Sequence, residues 1–143
     1  MKAKKSWREK LADSKDLPKT MVIPAPHEVD ALMKQVPKGR LVTIAELRAA
    51  LAAKHRVHIA CPMTTGIFSW MAAQAAAEAE AAGGNQVTPF WRTLKTGGEI
   101  NAKYPGGAEG VAQRLREEGH SIVKKGRRFF VAGFEQALFS GLR

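Results

Sequence analysis

Between Thr88 and Glu118 the chain reads TPFWRTLKTGGEINAKYPGGAEGVAQRLREE, and this stretch limits the fold more than any other. Pro89, Gly97-Gly98 and Pro105-Gly106-Gly107 deny it a helix before Ala108, since proline lacks the N–H and glycine pairs favour turns. The chain is therefore expected to run as a strand over Val87–Leu94, to turn at Gly97-Gly98 and again after Tyr104, and then to enter a helix over Ala108–Glu118. Val111 and Leu115 give that helix an inward face, and Gly119 stops it. Two rings beside a cation, Phe90-Trp91-Arg92, precede the turns, and a third ring follows at Tyr104. Pro89, Phe90, Trp91, Arg92 and Tyr104 are the expected wall of a pocket rather than plain core.

The segments before this stretch read as helices. Pro24 and Pro26 hold Met21–Pro26 extended, and His27–Val36 follows as a helix with Val29, Leu32, Met33 and Val36 on one face. Pro37-Lys38-Gly39 ends it. Thr43-Ile44-Ala45-Glu46 is a capping box that starts a second helix, reaching about Lys54, with Ile44, Leu47 and Leu51 inward. Val57–Ala60 is a short strand, broken by Cys61-Pro62. Thr64 or Thr65 is expected to cap a third helix running to about Ala82, where Gly83-Gly84 stops it. Ile67, Phe68, Trp70 and Met71 lie on nearly every side of its first turns, which predicts deep burial there.

Helix, turn, capped helix, strand and helix together suggest a helix-turn-helix core, with the third helix as the recognition helix. No Lys or Arg occurs between Arg56 and Arg92, so that helix lacks the cations of a major-groove reader. It offers Thr64, Thr65, Ser69 and Gln74 instead. Two readings stay open: a small-faced helix pressed against a duplex, or the central core helix of the domain. Near the C-terminus, Ser121–Val123 and Phe129–Val131 flank KKGRR, which reads as a hairpin with a strongly basic turn. On a helix-turn-helix domain such a hairpin is a wing. Lys124, Lys125, Arg127 and Arg128 would then hold phosphates. Phe134–Leu142 closes the chain as a short helix or tail.

Charge agrees with this direction. The 143 residues carry 23 Lys and Arg against 13 Asp and Glu, a formal net charge of +10, which attracts polyanions and most often nucleic acid. The excess sits in residues 1–20, read as a flexible basic tail, and in the C-terminal third. Residues 21–143 then form one domain. No apolar run is long enough to span a bilayer, and MKAKKSWREKLADSK has no apolar centre of a signal peptide, so a cytoplasmic location and no membrane partner are expected. Cys61 is alone, which excludes an internal disulfide, and His55, His58 and His120 make no metal-ligand spacing with it. Neither a metal nor another cofactor is expected. The neighbours of Cys61, namely Ile59, Ala60 and Pro62, predict a buried, inert thiol.

At this point the chain resembles the DNA-binding domain of the alkylguanine-DNA alkyltransferases, and more closely the alkyltransferase-like proteins that lack the acceptor cysteine. Pro37-Lys38-Gly39 and Val42-Thr43-Ile44 match the family's turn and the start of its next helix. Pro89-Phe90-Trp91-Arg92 aligns with its Pro-Cys-His-Arg motif. Gly97-Gly98, Tyr104-Pro105-Gly106-Gly107 and Glu118-Gly119 match its later turn, its Tyr-x-Gly-Gly and its Glu-Gly. The likeness spans roughly Ile23 to Val131 and implies an α/β winged helix-turn-helix fold.

The family's alkyl transfer needs a thiolate activated by a His that a Glu orients. Phe90 stands at the acceptor position and Trp91 at the His position, and Glu118 matches the orienting Glu without its partner. The resemblance therefore implies a non-catalytic protein that binds duplex DNA through the minor groove, recognises alkylated guanine and hands it to a repair protein. Thr43, Thr64, Thr65 and Ser69 would lie at the duplex, and Arg92 would hold the pocket loop to the recognition helix. Ile44 replaces the family's base-rotating Tyr, and Thr65 stands near its gap-filling Arg, which puts base flipping in question. Two other functions stand beside this one: alkyl transfer to Cys61 as a relocated acceptor, and a degenerate domain that binds protein.

Overall fold

The structure is a computed structural model and describes residues 6–13 and 20–143. The rest of the expected basic tail, residues 1–5 and 14–19, lies outside them. Trp7–Asp13 forms α1, begun by a reciprocal cap: the Glu9 N–H donates to Ser6 Oγ and the Ser6 N–H to the Glu9 carboxylate. After β1 (Met21–Val22), α2 (Pro26–Lys34) starts on a proline, whose missing N–H costs nothing in a first turn. Its Val29, Leu32 and Met33 are buried, as is Val36 just beyond. β2 (Val42–Thr43) leads into α3 (Ile44–His55) through the capping box, with the Ala45 N–H on Thr43 Oγ1 at 3.1 Å and the Thr43 N–H on the Glu46 carboxylate at 2.7 Å.

β3 (Ile59–Ala60) precedes α4 (Pro62–Ala81). Neither Thr64 nor Thr65 caps α4. Pro62 fits the first helical position, so Cys61 occupies the cap, and both threonine hydroxyls donate back to the Cys61 carbonyl from inside the helix. The expected strand over Val87–Leu94 shrinks to β4 (Thr93–Leu94), because Phe90–Arg92 winds into a single 3-10 turn after Pro89. α5 (Gly107–Glu117) follows, then β5 (Ile122–Lys125), β6 (Arg128–Val131) and a closing 3-10 turn at Phe134–Ala137.

The result is a small mixed α/β fold. β1 pairs parallel with β3, and β2 parallel with β4 in the register Val42 to Thr93 and Thr43 to Leu94. β5 and β6 form the expected hairpin. That hairpin is fastened to the loop before α5: the Ile100 N–H donates to the Phe129 carbonyl, and the Val131 N–H to the Gly98 carbonyl. Gly98 has φ +86°, and a Cβ there would run into the Phe134 ring, so only glycine fits this junction. The core gathers Leu41, Leu47, Leu51, Phe90, Leu94, Ile100, Val111 and Leu115 between α2, α3, α4 and α5.

α4 reverses one expectation. Its buried residues are Thr65, Ser69, Ala72, Ala73 and Ala76, which recur at helical spacing and let α2 pack close against it. Three of the large side chains expected inside face outward, with Ile67 48% exposed, Met71 44% and Trp70 42%, and Met63 beside them is 73% exposed. Phe68 alone of the expected set is packed against the core.

Candidate functional site

Arg92 and Glu118 anchor the loop that carries the Phe90–Arg92 turn to the end of α5. Glu118 caps the C-terminal end of α5, and its carboxylate accepts from Arg92 Nη2 at 2.7 Å, Arg92 Nε at 2.9 Å and Trp91 Nε1 at 2.9 Å. Burial pushes the Glu118 carboxyl up, but the Arg92 and Trp91 bonds outweigh it and hold the group below its ordinary range. Arg92 Nη1 donates to the Val36 carbonyl at 2.8 Å, which satisfies the end of α2. Arg92 thus ties the loop to α5 and α2, not to α4 as expected. Nor has Glu118 lost its partner: the Trp91 indole N–H fills that role.

The expected aromatic pocket is filled by its own rings. Phe90 is buried, with its ring edge-on to Trp91 at 5.3 Å and to Tyr104 at 6.0 Å. Tyr104 is also buried and donates its hydroxyl to Ser69 Oγ at 3.0 Å, and burial pushes its pKa up to about 12. Pro89 is buried beside them. Arg114, held by Glu80 at 2.6 Å, lies 4.3 Å over the partly exposed Trp91 ring. A base cannot stack between Phe90 and Tyr104. The same packing buries Thr65 and Ser69, at 0% and 1% exposed, and Thr43 at 2%, with Ser69 still bordering the groove on α4. The Thr43 hydroxyl caps α3, the Thr65 hydroxyl donates to the Cys61 carbonyl, and the Ser69 hydroxyl donates to the Gly66 carbonyl and accepts from Tyr104. Thr64 is half-buried.

The open site lies on the other side of α4. A groove of about 950 Å³ runs along its first turns, lined by Ile44, Pro62, Met63, Gly66, Ile67 and Trp70. It is completed by Lys95, Thr96, Asn101 and Lys103 from the loop before α5. Trp70 Nε1 donates to the Lys103 carbonyl at 3.1 Å, and the Lys103 N–H donates to Asn101 Oδ1 at 2.9 Å, so the two walls are joined and the loop is preset. Sequence reading placed Ile44 and Trp70 inside the core and gave Lys95 and Lys103 no role. The signal that could have found the groove is the small-residue stripe 65, 69, 72, 73, 76: a buried stripe of that kind sends 63, 67, 70 and 71 outward.

The basic hairpin adjoins the same loop. Lys124, Lys125 and Arg127 are exposed. Arg128 is committed elsewhere, since Glu99 binds its Nη2 at 2.7 Å and its Nε at 3.1 Å. The hairpin thus exposes all four expected cations, three of them free of an ion pair among the described residues and Arg128 paired with Glu99. Cys61 also departs from expectation. It is half-exposed rather than buried, and the Thr64 hydroxyl and N–H draw its thiol below the ordinary range. Among the described residues no group of three or more His, Cys, Asp or Glu could hold a metal ion, and no helix is long and apolar enough to cross a membrane.

No protein-family model matches the sequence, and a search of curated proteins finds no relative. Among solved structures, the chain is similar to Atl1 of S. pombe, crystallised in complex with damaged DNA containing O6-carboxymethylguanine. The TM-score is 0.51 at 16% sequence identity, and the match covers 80% of this chain and 93% of that one. At that identity the likeness is one of fold.

Proposed function

We propose that this protein is a non-catalytic DNA-binding protein of the alkyltransferase-like type, which recognises alkylated guanine in duplex DNA through the groove beside α4 and marks it for a repair partner. The observation that carries the reading is the groove itself: exposed apolar side chains on a helix, facing a cationic loop, on a strongly basic chain. Large apolar residues on DNA-binding proteins act as wedges between base steps in the minor groove. Met63 and Ile67 suit that role, and the Trp70 ring, fixed through its N–H, is a platform for a displaced base. In this reading the hairpin is the wing of a winged helix, with Lys124, Lys125 and Arg127 on phosphates. The fold shared with a protein crystallised on damaged DNA supports it.

Alkyl transfer at the family's acceptor position has no nucleophile here, because Phe90 is a buried hydrocarbon ring. The test is equilibrium binding to a short duplex with and without one O6-methylguanine, at two salt concentrations. The reading predicts salt-dependent affinity for both and tighter binding to the lesion. Equal affinity for the two duplexes contradicts it.

One observation favours a second reading. Cys61 is half-exposed, has a lowered thiol pKa and adjoins the groove-lining Pro62 and Met63. Were it an acceptor, its sulfur would take the alkyl carbon while the carbon–oxygen bond breaks and guanine is restored. Intact-mass measurement after incubation with alkylated duplex decides the matter. The non-catalytic reading predicts no mass increase, and a gain lost in Cys61→Ala contradicts it.

A further inference from the structure

We infer that the groove prefers base adducts that carry a carboxylate, and that Lys95 and Lys103 read the charge. This rests on the damage-recognition reading above. Both lysines line the groove, and neither Asp nor Glu does. Among the described residues no ion pair involves Lys95 or Lys103. The acid that feels the Lys95 charge, Glu99, is already bound twice by Arg128. Lys95 and Lys103 thus line a largely apolar groove as exposed cations that no acid pairs among the described residues.

A duplex seated on α4 would cover this rim and take water from it. Charge–charge interactions strengthen as water leaves, so an anion within reach gains and an unpaired cation loses. A neutral alkyl group would leave both lysines partly desolvated and unanswered. A carboxylate would accept charge-assisted hydrogen bonds from them. The loop is preset for this. The Lys103 carbonyl accepts from the Trp70 indole and its N–H is held by Asn101, so little backbone order is lost on binding.

A backbone phosphate is the other anion these lysines could meet, and the test separates the two. Affinities are measured for four duplexes alike except at one base: guanine, O6-methylguanine, O6-carboxymethylguanine and its neutral amide isostere O6-carbamoylmethylguanine. They are measured with the native protein and with the Lys95→Gln, Lys103→Gln double variant, whose folding is checked by thermal melting. The inference predicts that the native protein binds the carboxymethyl duplex about tenfold tighter than the amide, the scale of one hydrogen bond to a charged group. It predicts that this advantage disappears in the double variant. Equal affinity for acid and amide, with both tighter than guanine, overturns the inference and leaves damage recognition standing. Equal affinity for all four duplexes overturns damage recognition itself. A uniform loss in the double variant, with the acid preference unchanged, assigns the lysines to phosphates and overturns the inference as well.

Discussion

Arg92 ties the loop of the Phe90–Arg92 turn to α5 and to the end of α2. Its guanidinium meets the Glu118 carboxylate where the two side chains are 14% and 8% exposed, and it also satisfies the Val36 carbonyl. Arg92→Ala would leave a buried carboxylate without its cation, which costs about 3–5 kcal/mol. Urea unfolding should show that loss, and Arg92→Lys should recover only part of it, since an ammonium lacks the planar fork. A fully stable Arg92→Ala would show that the pair does not hold the loop. Single residues were unevenly legible. Thr43 and Glu46 announced their cap, because its two bonds are local and set by spacing. Thr65 and Ser69 could not be placed from their type, since a hydroxyl serves equally at a surface or turned back on its own helix.

At the scale of elements, local signals were read well and tertiary ones poorly. The helices of residues 26–34, 44–55 and 107–117 and the hairpin follow from periodicity, caps and glycine stops. The orientation of α4 did not, because both its faces are apolar by composition and only packing against α2 decides which is inside. The aromatic stretch was read as open for a similar reason: the sequence shows the rings, but not that Phe90 fills the space between Trp91 and Tyr104. The hairpin should respond in graded fashion. Reversing Lys124, Lys125 and Arg127 to Glu should weaken binding to damaged and undamaged duplexes alike. The log–log salt slope should fall by about one for each phosphate no longer neutralised. Adding Arg128→Glu should also cost stability, because Glu99 would face a like charge. An unchanged salt slope would remove the hairpin from the interface.

For the whole molecule, acid should loosen the pairing of α2 with α3. Glu28 on α2 accepts from the Ala25 N–H and from Lys54 and His55 on α3, and these hold its carboxyl down at about 2 against an ordinary 4.5. A lowered folded-state pKa contributes stability that is complete above 4.5 and lost as pH falls toward about 2. Melting temperatures across that window should fall in the native protein and fall less in Glu28→Gln. Equal acid slopes would show that Glu28 does not couple the helices. Charge and site also join at this scale: the basic hairpin is bonded to the loop that brings Lys95 and Lys103 to the groove, so one surface combines exposed cations with an apolar recess.

In the proposed mode of recognition a lesion is told apart in the groove beside α4 rather than at Phe90 and Trp91. The decisive quantity is the ratio of affinities for O6-methylguanine and guanine duplexes, taken for the native protein and for a folded Trp70→Ala variant. The ratio should stand well above one in the native protein and collapse toward one in Trp70→Ala, with the salt-dependent binding to plain duplex retained. A native ratio of one, or a ratio that Trp70→Ala leaves unchanged, would contradict recognition in this groove.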